Sequence, residues 1–305
     1  MNNKVITGRA CGKFILLGEH FIVTASTPAL AFPLPELFCE VKLEEAGVSS
    51  FEAQSDGVVV RENQVRLKME EALKTALRFM KREGFAFKLE SSTNIPIQKG
   101  FGSSAAFSVA LSRAVTTYFK EDLGILGNSI DTIEGLFHKT PSGVDTTTIL
   151  HQKPIRFEKG VGAQEIFNQA CDFILLDSGD RKNCAEQIAI VSKIRENDKK
   201  LWERLASQMR DVIETVQHAL HQGDTEEVAY GVREAQDILA SLQLSNEKTY
   251  FYIKESMSEG VLAGKVSGAG GGGAVVLVTR AHEGDAVALK LKQKNIPVVA
   301  VAYAM

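Results

Sequence analysis

The stretch "KGFGSSAAFSVALSRAV", residues 99–115, constrains the fold more than any other part of the chain. Two glycines and two serines run directly into an alanine-rich apolar segment with helical character, expected to extend from Ser104 to Lys120. So apolar a helix has to be buried, and a buried helix start is demanding. About four backbone N–H groups there lack intrahelical partners, and the end carries about half a positive charge. An anion satisfies both, and glycine lets a ligand approach the backbone closely. The plainer alternative is a turn followed by a serine-capped helix.

Periodicity sets the surroundings. "KVITGRACGKFILLGEHFIV" alternates apolar runs with glycines and reads as short strands joined by tight turns. Residues 37–45, 57–61 and 85–90 are further strand candidates. Between Asn63 and Glu83 the period changes: Val65, Met69, Leu73, Leu77 and Met80 predict a helix with Gly84 as its stop. "CDFILLDSGDRKN" (171–183) reads as a buried strand ending in a polar turn. Residues 185–258 are mostly helical, with Leu205, Met209, Val212, Val216 and Leu220 on one stripe and Asp224 as a cap. A short helix over 283–294 and a last strand, "PVVAVAYA", close the chain. The expectation is an α+β protein of two domains, 1–170 and 171–305, the second rich in helix.

Composition excludes several classes. A net charge of -3 with no basic block gives no footprint for nucleic acid. No run approaches the roughly 18 apolar residues of a membrane span, and the N-terminal stretch has no apolar signal core. The four cysteines have no C-x-x-C spacing and suit reduced thiols. The expected setting is cytoplasmic, with no membrane partner.

Three glycine-rich stretches need one explanation: "GKFILLGEH" (12–20), "GFGSSAA" (100–106) and "SGAGGGG" (267–273). A fourth segment, "EGLFHKTPSGVDTT", supplies Glu134 and Asp145. Phosphoryl transfer needs backbone donors for phosphate oxygens, a cation, magnesium ligands and a carboxylate facing the attacking hydroxyl. All four requirements have candidates here. A Walker loop is excluded because G-x-x-x-x-G-K-[ST] is missing, and a protein kinase because H-R-D and D-F-G are missing. "SGAGGGG" precedes a strand, whereas a dinucleotide fingerprint follows one.

Taken in order, "ACGKFILLGEHFIVTASTPALA", "PIQKGFGSSAAFSVAL", "TPSGVDTTT" and "KVSGAGGGGAVVLV" resemble the motifs of the GHMP small-molecule kinases. The resemblance runs from residue 8 to residue 279. It implies an N-terminal S5-like α/β domain and a C-terminal ferredoxin-like α/β domain, with the active site between them. It further implies ATP-dependent, Mg2+-assisted phosphorylation of the 5-hydroxyl of mevalonate; phosphomevalonate as acceptor and a non-catalytic metabolite sensor are the alternatives. Carried over by position, Lys99, Gly100, Gly102, Ser103, Ser104 and Ala105 would surround the ATP phosphates. Ser104 and Glu134 would hold magnesium. Asp145 would face the acceptor hydroxyl, with Lys13 beside it lowering its pKa and stabilising charge. Glu19, His20, Gly268, Ala269 and Gly270 would line the acceptor side, residues 268–273 donating N–H groups. Family members are often dimers, so a homodimer is among the implications.

Bland readings stand beside these. Lys13 also suits a surface lysine at a strand start, and Glu134 an exposed helix residue. His138, one turn after Glu134, is expected to pack or bond locally, and His151, His218, His221 and His282 to have no role. The chain also departs from the family pattern. Cys11 replaces a proline, Gln98 and Lys99 replace a Gly-Ala pair, and Phe101 replaces a leucine. Asn183 and Cys184 stand where a Ser-Thr pair is usual. Arg181 and Lys182 just before them raise the alternative of a phosphorylated acceptor.

Overall fold

The computed structural model describes residues 4–23, 27–138, 141–179 and 184–304, without the side chains of residues 128, 184 and 185. The chain forms two compact units. One holds Met1–Gly12, Pro35–Ile97 and Gly102–Gln152; the other holds Lys13–Leu34, Gln98–Phe101 and Lys153–Met305. They do not follow a single cut at residue 170, which falls inside the second. The reason is two long strands, β1 (Val5–Leu17) and β2 (Ala29–Glu45), each of which contributes to both units.

In the first unit, residues 39–45 of β2 pair antiparallel with β5 (Phe87–Thr93), setting Leu43 opposite Leu89. β5 pairs parallel with β3 (Ser50–Ser55), which turns back into β4 (Val58–Val59). A parallel pair needs a crossover, and α1 (Asn63–Phe79) lies on it, burying Met69, Leu73, Ala76 and Leu77. The helix ends before the expected stop at Gly84. Its apolar stripe is finished by Met80, and Lys81 turns left-handed at φ 56°.

The helix α2 (Ser103–Phe119) buries eleven of its 17 residues, as its composition demands. It is accompanied by α3 (Gly127–Gly135) and α4 (Val144–His151). The glycines expected to turn the first segment do something else, since β1 is one continuous strand through Gly8 and Gly12. A Cβ on Gly8 would stand 2.0 Å from the Ala110 carbonyl oxygen and 2.6 Å from Ala114 N. Gly8 is there for close approach to the backbone of α2.

In the second unit, four antiparallel strands lie in the order β11 (Val298–Ala302), β8 (Cys171–Asp177), β10 (Ala274–Arg280), β9 (Ala263–Val266). With α9 (Gly284–Gln293) between β10 and β11, this is the ferredoxin-like arrangement. Its first crossover is enlarged to α5 (Cys184–Asn197), α6 (Lys199–Gln222), α7 (Thr225–Ser241) and α8 (Glu247–Met257). As expected, Asp224 caps α7, accepting from Glu227 N at 3.0 Å.

The sheet is covered on both faces, which explains the uninterrupted apolar runs "FILL" and "AVVLV". On one face Ile174, Leu176, Val275 and Leu277 pack with Val287 and Leu291 of α9. On the other, the Phe173 ring meets Phe14 and Phe32 edge-on at 5.5 and 5.1 Å. A small hairpin, β6 (Ile155–Glu158) and β7 (Gly162–Glu165), pairs with residues 29–31 of β2. No helix among the described residues is long and apolar enough to cross a membrane.

Candidate phosphoryl-transfer site

In the first unit the site is built on helix starts. α2 begins at Gly102, in the left-handed region at φ 78°, and no side chain caps it. The serines follow as the first two helical residues, so the serine-capped alternative is not what forms. The N–H groups of Ser103, Ser104 and Ala105 therefore point out of the helix start in need of acceptors. α4 begins the same way, at Gly143 with φ 87° and no side-chain cap. Asp145 lies half-buried in its first turn, where negative charge is favoured. Next to it, Thr146 Oγ1 donates to Asp131 Oδ1 at 2.9 Å.

Glu134, on α3, is buried, so the exposed-helix reading does not hold for it. Ser104 Oγ donates to Glu134 Oε1 at 2.7 Å, and Ser108 Oγ to Glu134 Oε2 at 3.3 Å. Ser104 and Ser108 share a face of α2 because four residues make about one turn. His138 adds an imidazole: its Nε2 lies 3.1 Å from Ser104 Oγ and 3.4 Å from Glu134 Oε1. Two adjacent oxygens around an octahedral magnesium at about 2.0–2.1 Å stand about 2.9 Å apart. Ser104 and Glu134 are hard oxygen donors at nearly that spacing, so they fit such an ion.

In the second unit, three loops are tied together. Lys13 is buried; its N–H donates to Phe101 O at 3.0 Å and its Nζ to Gly100 O at 3.2 Å. Lys99, also buried, reaches Asp177 Oδ1 with its Nζ at 3.0 Å, while its carbonyl accepts from Ala274 N at 2.9 Å. Ser178 and Gly273 exchange two bonds, Ser178 N to Gly273 O and Gly273 N to Ser178 Oγ, both 2.8 Å. The loop after β9 runs through positive φ at Gly268 and from Gly270 to Gly273. At Gly270 a side chain would meet Leu244 at 2.7 Å.

The expectation that residues 268–273 all donate to ligands needs correction. Gly271 N is spent on Leu244 O and Gly273 N on Ser178, which hold the loop in shape. The N–H groups of Gly268, Ala269 and Gly272 have no acceptor among the described residues.

Glu19 and His20 are anchored to this loop and to β9. Glu19 is ion-paired with Lys265, and both side chains are sealed from water. Glu19 Oε2 has no hydrogen-bond partner among the described residues. Burial pushes the Glu19 carboxyl upward and the Lys265 ammonium downward, each opposed by the other's charge. His20, left-handed at φ 59°, places Nε2 2.9 Å from Ala269 O. Burial lowers its pKa, the bond to Ala269 opposing and the Lys265 charge assisting.

The structure thus assembles Ser104 with Glu134 in one unit, and Lys13, Lys99, Gly100, Glu19, His20 and Ala269 in the other. Arg181, Lys182 and Asn183 lie outside the described residues, as does the Cys184 side chain. Sequence reasoning missed Lys265, Asp177 and the Ser104 contact of His138. For Lys265 a signal existed, since a lysine within a wholly buried strand needs an anionic partner.

Comparison with known proteins bears on the family and the fold. The model of the GHMP kinases N terminal domain matches residues 70–153, and that of the GHMP kinases C terminal domain matches residues 216–297. Mevalonate kinase from Aeropyrum pernix is 25% identical over 287 residues, covering 88% of this chain and 86% of that one. Among solved structures, L. major mevalonate kinase in complex with R-mevalonate has a TM-score of 0.82 at 23% identity, covering 98% of this chain and 96% of that one. Streptococcus pneumoniae phosphomevalonate kinase has a TM-score of 0.76 at 17% identity, covering 97% and 99%. At such identities the structural likenesses show a shared fold. With both domain models matched in chain order over more than half of its length, the chain belongs to the GHMP kinase family.

Proposed function

We propose that this protein transfers the γ-phosphoryl group of ATP to the 5-hydroxyl of mevalonate, giving 5-phosphomevalonate. The observation that carries the reading is the Ser104–Glu134 pair at the uncapped start of α2, in a GHMP kinase with mevalonate kinase relatives. In this proposal the N–H groups of residues 102–105 and the Gly100 backbone bind phosphate oxygens, and Lys99 adds positive charge. Ser104 and Glu134 hold Mg2+, which offsets charge on the phosphate oxygens when bound. Asp145 accepts the proton of the attacking hydroxyl, and Lys13 stabilises the charge that develops during transfer. Glu19, His20 and the backbone of residues 268–270 shape the acceptor pocket.

The division of labour at residue 170, with phosphate loop and base before it, is part of the proposal. It is supported by the two domain models, which fall on either side of that position. A cytoplasmic setting fits the thiols: Cys39 and Cys171 are buried, and burial pushes Cys39 up to about 12 and Cys171 higher still. Homodimerisation is carried over from the family's habit and is checked by sedimentation.

The test is ADP release in the presence of ATP, Mg2+ and each of mevalonate, phosphomevalonate, homoserine and galactose. Mevalonate-dependent release with a phosphomonoester product is expected. Nucleotide binding without turnover of any acceptor would make the chain a sensor instead.

A further inference from the structure

The bonds around Ser104 fix more than the position of a cation ligand. In the 2.7 Å contact between Ser104 Oγ and Glu134 Oε1 the serine hydroxyl is the donor, so the proton between them is the serine's. A hydroxyl has one proton, and that contact spends it. The 3.1 Å contact from His138 Nε2 to the same oxygen must therefore use a proton on the imidazole. Neutral or charged, His138 carries its proton on Nε2.

With one lone pair taken by His138, Ser104 Oγ has a single lone pair left, and its direction is fixed by the other two partners. His138 is half-exposed and follows α3, and its N–H closes a helical turn onto Glu134 O at 3.0 Å, so the ring is held beside the residue it serves. Ser108 Oγ lies 3.0 Å from Ser104 O and 3.3 Å from Glu134 Oε2, and its one proton is shared between the two acceptors.

We infer that His138 is a positioning residue for the cation site: its Nε2–H donates to Ser104 Oγ and aims the remaining lone pair at the ion, without itself ligating it. This deepens the proposed kinase reading and rests on it. Imidazole nitrogen suits zinc, copper, iron or nickel, whereas magnesium and manganese favour oxygen. An N–H donor aimed at a ligating oxygen is the arrangement that orients a ligand without competing for the hard ion.

The test uses the full-length protein and has two readouts that do not depend on turnover. First, nitrogen NMR of the metal-free protein, with His138 assigned by substitution, should show a protonated Nε2; a bare Nε2 would overturn the inference. Second, Mn2+ binding with a non-hydrolysable ATP analogue is followed by electron paramagnetic resonance. His138→Ala should weaken Mn2+ binding by about tenfold, the usual lower bound for losing a group that orients a metal ligand. His138→Gln, which returns an N–H donor near the Nε2 position, should restore most of it. Equal Mn2+ affinity in the wild type and His138→Ala would reduce the histidine to a packing role. A directly coordinated nitrogen lost in His138→Ala would make it a ligand instead. If wild-type protein binds no Mn2+ with nucleotide, the kinase reading fails, and the NMR measurement still decides the donor assignment.

Discussion

Lys265 donates to Glu19 in an ion pair shut away from water, and the same ammonium also donates to the Val266 carbonyl at 2.6 Å. Breaking a buried pair from one side leaves an uncompensated charge, at a cost of about 3–5 kcal/mol, whereas replacing both partners by apolar groups is often near neutral. Lys265→Met should therefore lower unfolding stability by about 3 kcal/mol in a urea titration. The double variant Glu19→Leu/Lys265→Met should recover most of that loss. Equal losses in single and double variants would show that the pair is not the source.

His20 makes the stability of the second unit depend on pH. Its folded pKa lies below the ordinary value of 6.5, because burial disfavours the imidazolium and the nearby Lys265 charge adds to the effect. For a depressed pKa, the stability contribution is full above the unfolded value and is lost as pH falls through the folded one. Wild-type stability should drop as pH falls below about 6.5, and His20→Gln should flatten that part of the profile. Parallel pH profiles for the two proteins would contradict the assignment.

Gly8 gives a third test, in the first unit. Alanine there would drive its Cβ into the backbone of α2, against Ala110 O at 2.0 Å, which no rotamer change relieves. Losses above about 3 kcal/mol are expected, at the large end for single substitutions. Alanine at Gly57, with nothing within 4 Å of the added atom, meets only its unfavourable φ of 75° and should cost far less. Comparable losses at the two positions would show that close approach is not what Gly8 provides.

These positions show how far the sequence could be read. Wherever a periodic pattern met a long element, as in α2 or the apolar runs of β8 and β10, it was legible to within a few residues. Gly8 misled because sequence shows a missing side chain but not whether a turn or a neighbouring backbone requires it. The interleaving of the two compact units was illegible because β1 and β2 each contribute to both, a fact of pairing that leaves no mark in composition. At the site, the glycine motifs identified the loops, since positive φ and close backbone approach favour glycine. The bonds of Lys265, Asp177 and His138 join positions 34 to 246 residues apart, or hang on one hydroxyl, and local pattern carries neither.

Asp145 gives the test of the chemistry. Asparagine keeps the size but neither accepts the hydroxyl's proton nor carries charge, and positioned general bases contribute about 100-fold to 10,000-fold. Asp145→Asn should lower kcat within that range while the ATP analogue binds with near wild-type affinity. Turnover above half of wild type would remove Asp145 from the mechanism.

The most direct test of the account is the ratio of kcat/KM for mevalonate to that for phosphomevalonate, measured by ADP release under identical Mg2+ and ATP. In the proposed reading Gly18-Glu19-His20 and Pro141-Ser142-Gly143-Val144-Asp145 form a site for mevalonate, as the family resemblance implies, and a phosphate of about two charges favours a dedicated Arg or Lys clamp. A preference of at least about tenfold for mevalonate is predicted, which needs only about 1.4 kcal/mol of differential transition-state binding. Equal or better use of phosphomevalonate, collapsing in Arg181→Ala/Lys182→Ala, would contradict the account and make the phosphorylated acceptor the substrate.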